Sequence, residues 1–188
     1  AQEKYQKYFR PLVPGFKSAR FNDISSLEAV VSSNTCAIIL EPIQGEGGIL
    51  PAEKEYLQSV RNLCNEKDII LIFDEVQCGF ARTGKWYAHQ HDQICPDIMT
   101  SAKGLGNGVP IGAVIASEKV CDIFEPGDHA HTFGGNHLSC AAGLATIKII
   151  EENQILTNIT EMAKLLNEGL SSLQKKYPII EKVKGRGL

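Results

Sequence analysis

Two side chains of opposite chemical character, Asp74 and Lys103, carry the chemistry most readily available to this chain. Asp74 closes Ile69-Ile70-Leu71-Ile72-Phe73, an unbroken apolar and mostly β-branched run. Such a run suits a parallel strand covered on both faces. The carboxylate thus emerges at the strand's carboxyl end, where ligands gather in open α/β sheets. Lys103 follows a second short run, Pro96 to Thr100, and is flanked by Ala102, Gly104, Leu105 and Gly106. Small neighbours allow a ligand to approach the amine closely.

A lysine whose charge is suppressed by desolvation or by another cation becomes a nucleophile and condenses with carbonyl compounds to a Schiff base. Pyridoxal phosphate requires such a lysine, together with an acid for its pyridinium nitrogen, because the protonated ring is the better electron sink. Lys103 and Asp74 can fill those roles. By themselves they admit a plainer reading, with Asp74 capping a turn and Lys103 solvated at the surface.

The elements that must position them follow from hydrophobic periodicity. Cys36 to Leu40 reads as a buried strand ending at Glu41-Pro42, followed by a loop from Gly45 to Gly48. Leu57, Val60 and Cys64 recur at helical spacing after Pro51, with acidic residues in the first turn. Strand, helix and strand from Cys36 to Asp74 form a βαβ unit, right-handed by default, so the sheet is parallel here. Ser25-Ser26-Leu27-Glu28 has the pattern of a capping box and predicts a helix to about Ser32. Ile111 to Ala116 reads as a further buried strand near the sheet edge, and Phe124 to Asn136 as a loop carrying Thr132. The Ala- and Gly-rich stretch Leu138 to Ile150 suits a closely packed helix. Ile155 to Tyr177 has the clearest amphipathic repeat in the chain. Pro11, Pro14 and Gly15 keep Ala1 to Phe21 from forming a long element.

Composition sets the bounds. The chain has 188 residues, 43% hydrophobic and 22% charged, which suffices for one core. A net charge of -3 gives no electrostatic argument for nucleic acid or an acidic membrane. No apolar run approaches the roughly 20 residues of a membrane helix, and Ala1 onward lacks a signal-peptide pattern. The expectation is a soluble protein. The six cysteines are scattered without a C-x-x-C pair, which favours reduced, buried thiols over a disulfide framework or zinc site. A redox role for Cys78 lacks a resolving partner. His89, His91, His129 and His131, with Asp92, Asp97 and Asp128, form a rival pattern for a metal. No dinucleotide or Walker fingerprint is present.

Five motifs occur in one order and cover most of the chain: Glu41-Pro42-Ile43-Gln44-Gly45-Glu46-Gly47-Gly48, Asp74-Glu75-Val76-Gln77-Cys78-Gly79, Ala81-Arg82-Thr83-Gly84-Lys85, Ser101-Ala102-Lys103-Gly104-Leu105-Gly106 and Thr132-Phe133-Gly134-Gly135-Asn136. In order and spacing the chain resembles the class III (subgroup II) aminotransferases, which depend on pyridoxal 5'-phosphate. The resemblance implies the fold type I architecture of that cofactor's transferases: an α/β/α large domain with a mostly parallel sheet, leading into a small C-terminal domain. Residues 1–153 would belong to the large domain, and 154–188 to a connector helix and the start of the small one. Family members are about twice as long, so the chain looks like a central segment of a longer protein.

The resemblance also implies site roles. Lys103 would hold the cofactor and act as catalytic base and acid, and Asp74 would pair with the ring nitrogen. Gln77 would approach the phenolic oxygen, brought to the side of Asp74 by a helical turn while Glu75 points elsewhere. Glu46 would hold or release the arginine that binds a substrate carboxylate. Thr132 would reach the cofactor phosphate of a neighbouring subunit, implying a homodimer with shared active sites. His131 and His137 depart from the family pattern beside Thr132. The motif forms favour N-acetylornithine as amino donor and 2-oxoglutarate as acceptor, a step of arginine biosynthesis. Ornithine, succinylornithine and 4-aminobutyrate are the alternatives, and a non-catalytic segment is the rival of another class. The compartment would be the mitochondrial matrix in a eukaryote and the cytoplasm in a bacterium.

Overall fold

The computed structural model describes residues 3–188. In chain order its elements are α1 (Glu3–Gln6), α2 (Ile24–Glu28), β1 (Ala37–Leu40), β2 (Ile43–Gln44), β3 (Leu50–Pro51), α3 (Lys54–Glu66), β4 (Ile70–Asp74), β5 (Ile98–Ser101), β6 (Ala113–Ala116), α4 (Glu118–Cys121), α5 (His137–Glu152) and α6 (Ile155–Lys176). Four strands form one sheet in the order β1-β4-β5-β6. The β1–β4 and β4–β5 pairs are parallel, and β6 runs antiparallel to β5. The sheet is thus mostly parallel, as the apolar runs require. Residues 3–21 contain only the single turn α1, as the prolines dictate; the first two residues of the predicted loop lie outside the described part.

The core lies between the sheet and α3. Leu57, Val60, Leu63 and Cys64 on the helix pack with Ile38, Leu71 and Phe73 of the strands and with Ile69. Their spacing of three and four places them on one stripe, and burying each such side chain contributes about 1.5–3 kcal/mol. In β4, Leu71 and Phe73 are fully buried, whereas Ile70, Ile72 and Asp74 on the opposite face are only partly covered. Covering on both faces, expected from the apolar run, is therefore incomplete. The period of two puts Asp74 on the partly open face.

Four local expectations are corrected. The N-cap of α2 is Asp23, whose Oδ1 accepts from the Ser26 amide at 2.9 Å, and the helix ends at Glu28, short of Ser32. With Asp23 as N-cap the helix starts one residue after it, at Ile24, and the orphan amide to be satisfied is that of Ser26, not the Glu28 amide that the Ser-x-x-Glu pattern would serve. β1 alternates, with Ile38 buried and Ile39 exposed, because only one face meets α3. β6 is largely exposed, Val114 and Ile115 included, because as the edge strand it is flanked on one side only. Of the six cysteines only Cys64 and Cys78 are buried.

α5 starts where expected. The Asn136 side chain accepts from the Ser139 amide at 3.0 Å, and Gly143 lies against Leu105 and Ile111. α6 matches the amphipathic repeat, but none of its side chains is fully buried, and Leu165, Leu166, Leu170 and Leu173 remain exposed. No helix among the described residues is long and apolar enough to cross a membrane.

Candidate active site

Register fixes the site. Asp74, the last residue of β4, lies directly across from Thr100 of the parallel neighbour β5. β5 ends one residue later, and Lys103 follows on a short 3-10 turn, Lys103–Leu105. The acid and the amine thus leave the same edge of the sheet on adjacent strands, the position where open α/β sheets bind ligands.

The Asp74 carboxylate is held by one oxygen. Oδ1 accepts from the Val76 amide at 3.0 Å and from the Thr100 hydroxyl at 3.1 Å. Among the described residues no donor is bonded to Oδ2, which leaves an acceptor free for a cationic N–H. Lys103 has a left-handed backbone, with φ of 46°. For a residue with a Cβ this conformation is uncommon, and such strain clusters at functional sites. The amine is exposed, enters no ion pair among the described residues, and borders a 240 Å3 hollow formed with Gly108, Val109, Pro110 and Ile111. Ser139, near the start of α5, donates to Pro110 O at 2.8 Å and so ties that helix to the lysine loop.

Beyond Asp74 the chain makes a helical turn, closed by Gly79 N–H donating to Glu75 O at 2.9 Å. The turn directs Gln77 towards the β2–β3 hairpin, where a Cβ added to Gly45 would fall on the Gln77 amide. Glycine at position 45 lets the Gln77 amide rest against the hairpin, and a side chain there would have to push that flexible amide aside. Glu41 Oε2 accepts from the Gly45 amide at 3.0 Å and fixes the same turn, which presents Glu46 to solvent. Gln77 and Gly45 also line a larger cavity, of 550 Å3, closed on its far side by α6 and residues 183–188. Lys103 does not line it, so the larger space touches the candidate chemistry only at Gln77.

The structure brings Asp74, Gln77 and the Glu46 hairpin to one end of the sheet, with Lys103 on the neighbouring strand end. It does not bring Thr132 to them. Thr132 is exposed on the loop before α5, beside exposed Phe133, and lines neither cavity. His131 and His137 are likewise exposed.

Glu75 does point away from Asp74, and its role was not visible in the sequence. It is 1% exposed. Oε2 accepts from the Ala88 amide at 2.7 Å, and Oε1 from the His89 amide at 2.8 Å and from His89 Nδ1 at 2.9 Å. The carboxylate therefore binds the segment 87–91 under the strand end. Two histidines of the rival metal pattern are engaged elsewhere, His89 by Glu75 and His91 through Nε2 by Thr83 O and Oγ1, each at 3.1 Å, while His129 and His131 are exposed. Among the described residues no group of three His, Cys, Asp or Glu side chains is placed to hold a metal. Burial, and then the Glu75 charge, push the Cys78 thiol up to about 12, which keeps it in the unreactive protonated form.

The residues present fit pyridoxal phosphate at two points: a free carboxylate oxygen at a strand end, and an exposed amine on the adjacent strand end. Comparison with known proteins gives the family. The family model for class-III aminotransferases matches residues 1–188, and the chain belongs to that family. It is 48% identical over 188 residues to the acetylornithine aminotransferase of Clostridium acetobutylicum, covering 100% of this chain and 49% of that protein. It is 51% identical over 194 residues to that of Synechocystis sp., covering 100% of this chain and 45% of that one. The chain thus spans about half the length of the curated relatives it matches. Among solved structures it resembles an ornithine aminotransferase from Toxoplasma gondii, described with partial occupancy of PLP at its active site. The TM-score is 0.93 at 36% identity, covering 100% of this chain and 45% of that one. An N-acetylornithine aminotransferase from Stenotrophomonas maltophilia superposes with TM-score 0.78 at 38% identity, covering 89% and 44%.

Proposed function

We propose that this chain carries the lysine-bearing part of a pyridoxal phosphate-dependent aminotransferase site, with N-acetylornithine as amino donor and 2-oxoglutarate as acceptor. The observation that carries the reading is the β4–β5 register, which sets Asp74 with its free Oδ2 and Lys103 on neighbouring strand ends. The relatives named acetylornithine aminotransferase, at about half identity, support the donor.

When bound, pyridoxal phosphate supplies an electron sink for the charge left when the carbon bearing the amino group loses its proton. Lys103 Nζ would hold the cofactor and, as a free amine, would take a proton from that carbon and return one further along. Asp74 Oδ2 would accept from the ring N–H and so favour the protonated ring. Gln77 would approach the phenolic oxygen, and Glu46 would hold or release the arginine that binds a substrate carboxylate. Thr132 would offer its hydroxyl to the cofactor phosphate of a second subunit in a homodimer. Exposed Phe133, Leu138 and Leu144 beside it support an interface there. Residues 1–153 belong to the cofactor domain and 154–188 to the connector towards a smaller one.

The test is a half-reaction. The chain is loaded with pyridoxal phosphate, and the decay of its near-visible absorbance is followed with N-acetylornithine, ornithine, succinylornithine and 4-aminobutyrate. N-acetylornithine is expected to react fastest. A faster reaction with another donor overturns the substrate, and no reaction with any overturns transamination by this chain.

A further inference from the structure

We infer that Thr100 is a positioning residue for Asp74, fixing the carboxylate so that Oδ2 faces the bound cofactor. The inference rests on the proposed role of Asp74, but its geometry stands in the protein alone. A carboxylate at a strand end rotates about χ2, and that torsion is broad and roughly two-fold. Here two donors act on the same oxygen from two sides: the Val76 amide from the following turn, at 3.0 Å, and the Thr100 hydroxyl from the adjacent strand, at 3.1 Å. With Oδ1 doubly engaged, the carboxylate plane is set and Oδ2 is the oxygen left to accept.

Thr100 can do this because it is the register partner of Asp74 across the parallel pair, and a period of two places both side chains on the partly open face. Met99 and Ser101, its chain neighbours, point to the buried face. The hydroxyl is needed because no other side chain among the described residues bonds the Asp74 carboxylate. The Val76 amide alone constrains one direction of approach and leaves rotation about that bond free. Thr100 also lies three residues before Lys103, so the segment that orients the acid carries the amine as well.

The test compares the chain with Thr100→Val, which keeps shape and strand propensity but removes the hydroxyl, and Thr100→Ser, which keeps the hydroxyl. Two readouts are used. The first is hydrogen exchange of the Val76 amide in the cofactor-free protein. Protection is expected to fall several-fold in Thr100→Val and to return in Thr100→Ser. The second is the dissociation constant of pyridoxal phosphate by absorbance titration, expected to weaken about ten-fold in Thr100→Val, which is 1.4 kcal/mol, and to recover in Thr100→Ser. Thermal melting of both variants should stay within a few degrees of the parent. Unchanged Val76 protection in Thr100→Val overturns the inference whether or not the cofactor binds. A parent chain that binds no pyridoxal phosphate overturns the cofactor reading and leaves the exchange measurement to decide on Thr100. Loss of affinity in Thr100→Ser equal to that in Thr100→Val also overturns it, since the hydroxyl would then not be the agent.

Discussion

Replacing Glu75 by glutamine changes one atom in a site with no spare donors or acceptors. The side chain is fully buried, and each of its oxygens serves a different backbone amide: Oε2 that of Ala88 at 2.7 Å, Oε1 that of His89 at 2.8 Å. A glutamine has one acceptor oxygen, so in either orientation its NH2 meets one of these amides, donor against donor. His89 Nδ1 can adapt by changing tautomer, but a backbone N–H cannot. One buried amide is therefore left without an acceptor, at about 1–3 kcal/mol, and the charge assistance in the other bond is lost. The expected destabilisation is about 2–4 kcal/mol, measured as the shift in the urea midpoint at unchanged slope. Amide exchange at Ala88 and His89 should speed up more than at Leu71 in the core. A midpoint change equivalent to less than about 0.5 kcal/mol, the range of ordinary surface substitutions, would refute the reasoning.

Other consequences concern different parts of the chain. Burial is the main cause that pushes the Cys64 thiol up to about 11 and the Cys78 thiol up to about 12, so brief alkylation at pH 8 should label exposed Cys36, Cys95 and Cys140, label Cys121 more slowly because its hydrogen bond to Asp122 raises its pKa, and spare the two buried thiols, as read by peptide mass spectrometry. Burial, and then the nearby Arg186 charge, lower the pKa of His91. The unfolded chain therefore takes up this proton first, so stability is full above the ordinary histidine range and falls as pH drops through it towards the folded pKa. His91→Gln should flatten that part of a melting-temperature profile. Gly45→Ala places a methyl where the Gln77 amide lies; the amide should swing aside at a cost of about 1 kcal/mol or less, and pyridoxal phosphate binding measured by absorbance titration should weaken.

The parts of the fold legible in sequence were those set by local pattern. Leu57, Val60 and Cys64 announced α3, the run before Asp74 announced β4, and the strand-end rule placed Asp74 and Lys103 at one edge before any register was known. What local pattern could not carry was pairing. Thr100 looked like an ordinary strand residue, because its partnership with Asp74 exists only through the β4–β5 register. Glu75 looked like a neighbour of the acid, because its amide partners lie 13 and 14 residues on. The exposure of β6 and of the apolar side of α6 was illegible for the same reason: a sequence states that a face is apolar, and only the fold states what covers it. Asp23 is a local signal as well, since an aspartate before an apolar-periodic segment is as strong a cap as serine.

The central claim, that Lys103 is the residue that takes the cofactor, is tested most directly by trapping. The chain is incubated with pyridoxal phosphate, reduced with borohydride, digested and analysed by mass spectrometry, beside Lys103→Ala and Asp74→Asn. The account predicts a single dominant pyridoxyl adduct on Lys103, absent in Lys103→Ala and formed at higher cofactor concentration in Asp74→Asn. Adducts spread evenly over the surface lysines, unchanged in total when Lys103 is removed, would contradict it.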